Sequence, residues 1–164
     1  MKKYIFCSLL LVNCSLIFAQ TAAELEIVLG TQAVSAGQAA RFVLGAAELL
    51  PSGLSGPAAQ QTAYRMARER GWISTDAGQA ISLRDTAFLI MQAFEFEGGI
   101  MYSIFGNPRY AYRELLHRKI IQGRADPAMT VSGQRLMQIL GRALSHSGEN
   151  ELMDEALLRS GGIL

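Results

Sequence analysis

The sequence predicts an all-α domain built from three helix-loop-helix repeats around a pseudo-threefold axis, plus a short C-terminal helix. Three observations predict it. A junction of one apolar residue and Ser occurs three times, at Val34-Ser35, Ile81-Ser82 and Val131-Ser132, spaced 47 and 50 residues apart. After each Ser the apolar residues recur at helical spacing. The columns Ala40/Ala87/Met137, Val43/Ile90/Leu140 and Ala47/Phe94/Leu144 align at i, i+3 and i+7, one face of a helix. A second set, Phe42/Leu89/Ile139 and Ala46/Ala93/Ala143, widens that face. No segment has the sustained period-two alternation of a strand. A period of this length lies near the upper end for helical repeats.

The elements follow in order. Residues 1–19 read as a signal peptide: Met1-Lys2-Lys3 is a positive start, Tyr4 to Phe18 is apolar, and Ala19-Gln20 is the junction. The apolar run is about fifteen residues, short of the roughly 20 that a membrane span needs. The expected mature chain begins at Gln20 and forms one domain over 20–164. Cys7 and Cys14 both fall inside the leader, so that mature chain has no cysteine. Leu11-Val12-Asn13-Cys14 also reads as a relaxed lipobox, which would lipidate Cys14. Asn13 is a poor residue for that position, where small residues are usual, and cleavage after Ala19 is preferred.

The repeats are expected at about 22–50, 57–96 and 107–145. Repeat one opens with a short helix near Ala22 to Val28. Ser35, Ser82 and Ser132 stand at N-cap positions of the second helices. Gln38 completes a capping box, Asp85 is a short substitute, and Arg135 cannot serve. Pro57 and Pro108 open the first helices of repeats two and three, with Asn107 as a cap. Glu97-Gly98-Gly99 is expected to end the second helix of repeat two. Ile100 to Phe105 is an apolar insert, either an extra helical turn or a buried extended piece. After Ser147-Gly148, Glu149 to Arg159 forms the closing helix, with Glu149 and Glu151 at its positive end.

Composition limits the function. Half of the 164 residues are hydrophobic and 18% are charged, which argues against disorder. The net charge is +1, and loss of Lys2 and Lys3 makes it −1. That balance and the leader disfavour helix-turn-helix DNA binding. After the leader, Arg or Glu interrupts every apolar stretch, so no transmembrane segment is expected in the processed chain.

The repeat unit resembles the S-layer homology (SLH) module. The stretch that carries the resemblance runs from Lys119-Ile120-Ile121-Gln122-Gly123 through Arg124-Ala125-Asp126-Pro127 to Thr130-Val131-Ser132. Gly71-Trp72-Ile73-Ser74, followed by Ile81-Ser82-Leu83-Arg84-Asp85, is a weaker copy. The resemblance covers about residues 22–145 in three copies, the family's usual number. It implies a threefold helical scaffold and attachment to cell-wall polysaccharide. The family's ligand-contacting Arg matches Ala36, Leu83 and Gly133, so all three copies lack it.

Candidate chemistry is thin, and no enzyme is expected. His117 and His146 have no metal-ligand pattern around them, and no Gly-x-Ser-x-Gly elbow occurs. The loop at Asp126 lacks the oxygen series of a Ca²⁺ hand. Glu95 and Glu97 point to different sides of a helix. No cofactor is expected. Trp72 aligns with Ile120, a core position. The Arg set is the most informative: Tyr64-Arg65 and Tyr112-Arg113 share repeat columns, and Arg70 and Arg118 share another. A planar guanidinium suits carboxylate or phosphate and stacks on aromatic rings. Tyr64, Arg65, Tyr112, Arg113 and Arg124 are therefore the candidate ligand-binding residues for an acidic envelope polysaccharide. The same pattern also describes a solvated helix face with Arg stems covering its neighbours. The expected function is an exported, SLH-like module that attaches to or organises the cell envelope. The alternative is a periplasmic assembly factor holding an envelope protein, which an exposed patch at Ile100–Phe105 would favour.

Overall fold

A computed structural model of the chain describes residues 23–161. The expected leader, residues 1–19 with Cys7 and Cys14, lies outside the described residues. Among those residues the fold is all-helical, with no strand beyond two isolated bridges. The helices are α1 (23–29), α2 (Ala36–Ala46), α3 (Gly56–Glu69), α4 (Leu83–Ala93), α5 (Ile100–Phe105), α6 (Pro108–His117) and α7 (Gly133–Gly161). Among the described residues no helix is long and apolar enough to cross a membrane.

Helices start where the capping chemistry places them. Ser35 accepts from the Gln38 N–H while the Gln38 side chain accepts from the Ser35 N–H, a reciprocal pair that satisfies two donors. Ser82 accepts from the Asp85 N–H at 3.1 Å and donates its own hydroxyl to the Asp85 carboxylate at 2.6 Å. Asp85 is one methylene shorter than Glu, and its carboxylate takes the N-cap hydroxyl proton. Asn107 accepts from the N–H groups of Arg109 and Tyr110, with Pro108 next to it.

The stops depart from expectation. α4 ends at Ala93, and Glu95, not Gly98, takes the left-handed conformation (φ 52°). The Phe96 N–H closes back on the Met91 carbonyl at 3.0 Å, a Schellman closure whose hydrophobic residue Phe96 is buried. α2, α3 and α6 close in the same way, with Glu48, Gly71 and Lys119 in the left-handed position. Gly98 has another role: a Cβ there would lie 2.2 Å from Cδ1 of Tyr102, so its missing side chain makes room for that ring. A second correction concerns the C-terminus. Ser147-Gly148 does not end a helix, and α7 runs unbroken through the expected closing helix. Gly costs only about 1 kcal/mol in a helix interior when nothing turns the chain left-handed.

Three short extended segments meet at the centre, each just before an N-cap. The Ile81 N–H donates to the Val34 carbonyl (3.0 Å), and the Ala36 N–H to the Gln79 carbonyl (2.9 Å). The Leu83 N–H donates to Met129 (2.8 Å) and the Arg84 N–H to Pro127 (3.0 Å). The Val34 N–H donates to Val131 (2.8 Å) and the Gly133 N–H to Thr31 (2.9 Å). Each segment is thus bonded to both others. Val34, Ile81 and Val131 are fully buried at the middle. Val43, Ile90 and Leu140 are buried around it, and the column Ala47/Phe94/Leu144 opens at one end. α3 packs mainly on α2, and α6 on α4.

Candidate functional site

The five candidate residues fall on two helices and one loop. Tyr64 and Arg65 belong to α3. Tyr112 and Arg113 belong to α6, and Arg124 to the loop after it. The tyrosines are half-buried or buried, and their hydroxyls are engaged. Tyr64 donates to the Thr75 carbonyl at 3.1 Å, and Tyr112 donates to the Ala125 carbonyl. Each ties the loop that follows its helix back onto that helix. Burial, helped by the Asp126 charge and opposed by Arg135, pushes the Tyr112 hydroxyl above its ordinary pKa. It therefore remains a donor at neutral pH. Arg65, Arg113 and Arg124 are exposed and make no ion pair among the described residues. The Arg124 carbonyl accepts from the Arg135 guanidinium. Trp72 is half-buried against the core, and Arg70 lies over its ring at 4.8 Å.

The positions matching the family's ligand Arg are interior. Ala36 and Leu83 are fully buried, and Gly133 is buried against α1. At the starts of α2 and α4 the first two N–H groups donate to carbonyls of the neighbouring segments and the third to the N-cap Ser; at α7 the Gly133 N–H donates to Thr31 and the Arg135 N–H to Ser132. The helix starts therefore present no open row of donors.

The most distinctive surface is the edge formed by α5 and α6. The insert is helical and exposed, which corrects the buried extended alternative. Tyr102 alone points inward, accepting from Gln92 Nε2 at 2.6 Å, and burial raises its pKa despite that bond. Ile100 (79%), Met101 (55%), Ile104 (67%) and Phe105 (56%) are left facing solvent. At about 100° per residue these four occupy an arc of roughly 140°. Phe105 stacks on Tyr110 of α6 at 5.4 Å between ring centroids. A cavity of about 400 Å³ runs between the two helices, walled by Ile100, Met101, Tyr110, Arg113 and His117 among others. Arg113 lines it, and Arg109 lies one turn earlier on α6; both are exposed and unpaired among the described residues.

Arg118 holds this edge to the rest of the domain. Its Nε donates to Glu114 at 3.0 Å, one guanidinium nitrogen lies 2.9 Å from His146 Nε2, and another donates to the Glu97 carbonyl. The Phe96 ring lies beneath it at 5.8 Å. Partial burial works to raise the Glu114 carboxyl. The Arg118 hydrogen bond, the Gly99 N–H and the charges of Arg118 and His117 outweigh it and hold that carboxyl below its ordinary value. Its contribution to stability is therefore present above the ordinary carboxylate range and is lost as the pH falls through the lowered value. Nothing in the spacing of Glu97, Glu114, Arg118 and His146 signals this cluster, because it depends on α4, α6 and α7 meeting.

A second cavity of about 500 Å³ lies where the C-terminal ends of α2 and α4 meet the middle of α7, with Glu48, Phe94, Glu95 and Leu144 in its wall. No group of three or more His, Cys, Asp and Glu side chains that could hold a metal occurs among the described residues. Compared with models of known families, with curated proteins and with solved structures, the chain matches none of them.

Proposed function

We propose that the chain is an exported, non-catalytic module that attaches to or organises the cell envelope, and that it does so through the α5–α6 edge. On this reading the scaffold is three helix-loop-helix units about a pseudo-threefold axis, and the ring joining residues 34, 81 and 131 supports that arrangement. The observation that carries the binding role is the exposed run of Ile100, Met101, Ile104 and Phe105. Four large apolar side chains in contact with water on one short helix are costly unless something covers them. Such a surface holds a partner. It favours an apolar envelope component, as in an assembly factor for an envelope protein, over a polar glycan.

Export is supported by the leader pattern of residues 1–19. The mature chain recovered from an envelope fraction is expected to begin at Gln20 by intact mass. A diacylated or triacylated Cys14 would replace that with a lipoprotein.

Attachment to an acidic wall polysaccharide is the second reading. The exposure of Arg65, Arg113 and Arg124 favours it. Exposed ionic contacts contribute about 0–1 kcal/mol each, whereas bidentate Arg contacts reach roughly 1.5–3 kcal/mol. Arg65→Ala combined with Arg113→Ala is then expected to weaken co-sedimentation with purified cell walls at least about tenfold, near 1.4 kcal/mol. Unchanged co-sedimentation of a folded double variant, or no wall binding by the wild type at low salt, rejects the glycan site and leaves the apolar edge.

A further inference from the structure

We infer that the α5–α6 edge docks on an anionic phospholipid bilayer, with the α5 turn entering the interface and Arg109 and Arg113 meeting the headgroups. The inference rests on the attachment reading above and names its partner.

The observations converge on a lipid surface. The apolar group protrudes: Ile104 and Phe105 lie outside the cavity wall and Ile100 at its rim, and Ile100 and Ile104 keep more than two thirds of their area. A bilayer interface accepts a protruding apolar turn without a pre-shaped socket, whereas a protein partner must supply a matching groove. Interfacial segments pair an apolar arc with cationic residues on the adjoining face. Here α5 supplies the arc and α6 the cations. On α6, Ala111, Tyr112 and Leu115 face the core, so helical geometry sends Arg109, Arg113 and His117 to the opposite side. The acidic residue nearest these arginines on α6 is Glu114, already engaged by Arg118 and the Gly99 N–H. Arg109 and Arg113 are therefore the charges that an approaching surface meets, and anionic headgroups complement them. The turn is also firmly mounted. Tyr102 roots it in the core through Gln92, Gly99 is tied to Glu114, and Phe105 is braced by Tyr110. An apolar turn held out rigidly enters an interface without an ordering cost at the moment of docking.

The test is flotation of the processed chain, purified from cells, with vesicles of phosphatidylcholine alone or of phosphatidylcholine mixed with phosphatidylglycerol. The wild type is expected to float with the mixed vesicles, weakly or not at all with phosphatidylcholine alone, and less as salt rises. Ile104→Ser with Phe105→Ser is expected to weaken binding at least about tenfold. Arg109→Gln with Arg113→Gln is expected to weaken it about tenfold to thirtyfold and to erase the preference for phosphatidylglycerol. All four positions are on the surface, and unchanged thermal melting shows that the variants fold. Absence of flotation with mixed vesicles overturns the inference, as does binding that neither pair of substitutions changes. Dimerisation of the wild type without lipid, abolished by Ile104→Ser with Phe105→Ser, assigns the edge to a second copy instead and likewise overturns it. None of these results bears on export, which the intact mass of the envelope form decides separately.

Discussion

Ile90→Asp is expected to cost the domain a third or more of its stability. Ile90 is fully buried on α4, in the helical column that it shares with Val43 and Leu140. The substitution removes a large apolar side chain from a closed core, which alone costs about 2–5 kcal/mol. It also places a carboxyl within the buried apolar cluster, where it must either ionise away from water or take up a proton. A loss of about 4–5 kcal/mol or more follows, against a total stability of about 5–15 kcal/mol for a typical domain. Ile90→Val is the matched control, with an expected cost of about 0.5–1.5 kcal/mol. Thermal unfolding followed by circular dichroism separates the two. An Ile90→Asp chain that melts within a degree or two of the wild type would show that this column is not the core.

Gly133→Ala is expected to be nearly as damaging, although it adds a single methyl group. Gly133 opens α7, and a Cβ there would lie 1.6 Å from the carbonyl oxygen of Val28 and 2.5 Å from its carbon. The obstacle is backbone at the end of α1, which no rotamer change removes. Either α1 is displaced or α7 shifts and loses the Gly133–Thr31 hydrogen bond. Overpacking of a well-filled site costs about 1–3 kcal/mol, and a backbone obstacle places this case at about 3 kcal/mol or above. Gly141→Ala, on an exposed turn of the same helix with open space around it, should have the opposite sign. It should stabilise by about 0.4–1 kcal/mol through the unfolded state and helix propensity. Urea midpoints that move in opposite directions for the two substitutions confirm the contrast. Equal midpoints would mean that α1 does not seat against the start of α7.

How much of this was legible in the sequence depends on whether a feature is local. Ser35, Ser82 and Asn107 announced helix starts correctly, because a cap needs only its own next three residues. The columns through Val43, Ile90 and Leu140 announced buried faces, because helical periodicity is itself a local pattern. The helix ends were not announced. The usual signal is Gly in the left-handed position, and three of the four Schellman closures place Glu48, Glu95 or Lys119 there. The residue that follows each of them packs on the core, Leu49 in part and Phe96 and Ile120 buried, which is a tertiary fact. Ser147-Gly148 misled for the converse reason: the residues form a breaker only if the chain must turn there. The insert Ile100–Phe105 was visible as apolar, but its outward orientation follows from Tyr102 taking the single inward position. Among the candidate residues, Tyr64 and Tyr112 stood out by repetition. What repetition preserved in them is a shared bond to the loop that follows each helix. The Arg118 cluster joins Arg118 to residues up to 28 positions from it and has no sequence signature.

The ring of backbone bonds among the three central segments has a kinetic consequence. In a linear array each repeat leans only on its neighbours, so folding starts anywhere and ends fray independently. Here the first segment bonds to the third as well as to the second, so Val34 finds its Val131 partner nearly a hundred residues away. Closing that span must precede the reward for closing it, which raises contact order and slows folding. A nascent chain holding only the first two segments lacks the partner that completes the ring. The domain is therefore expected to fold cooperatively only after its final third has been made, and an N-terminal fragment holding the first two segments is expected to show little protection in amide exchange.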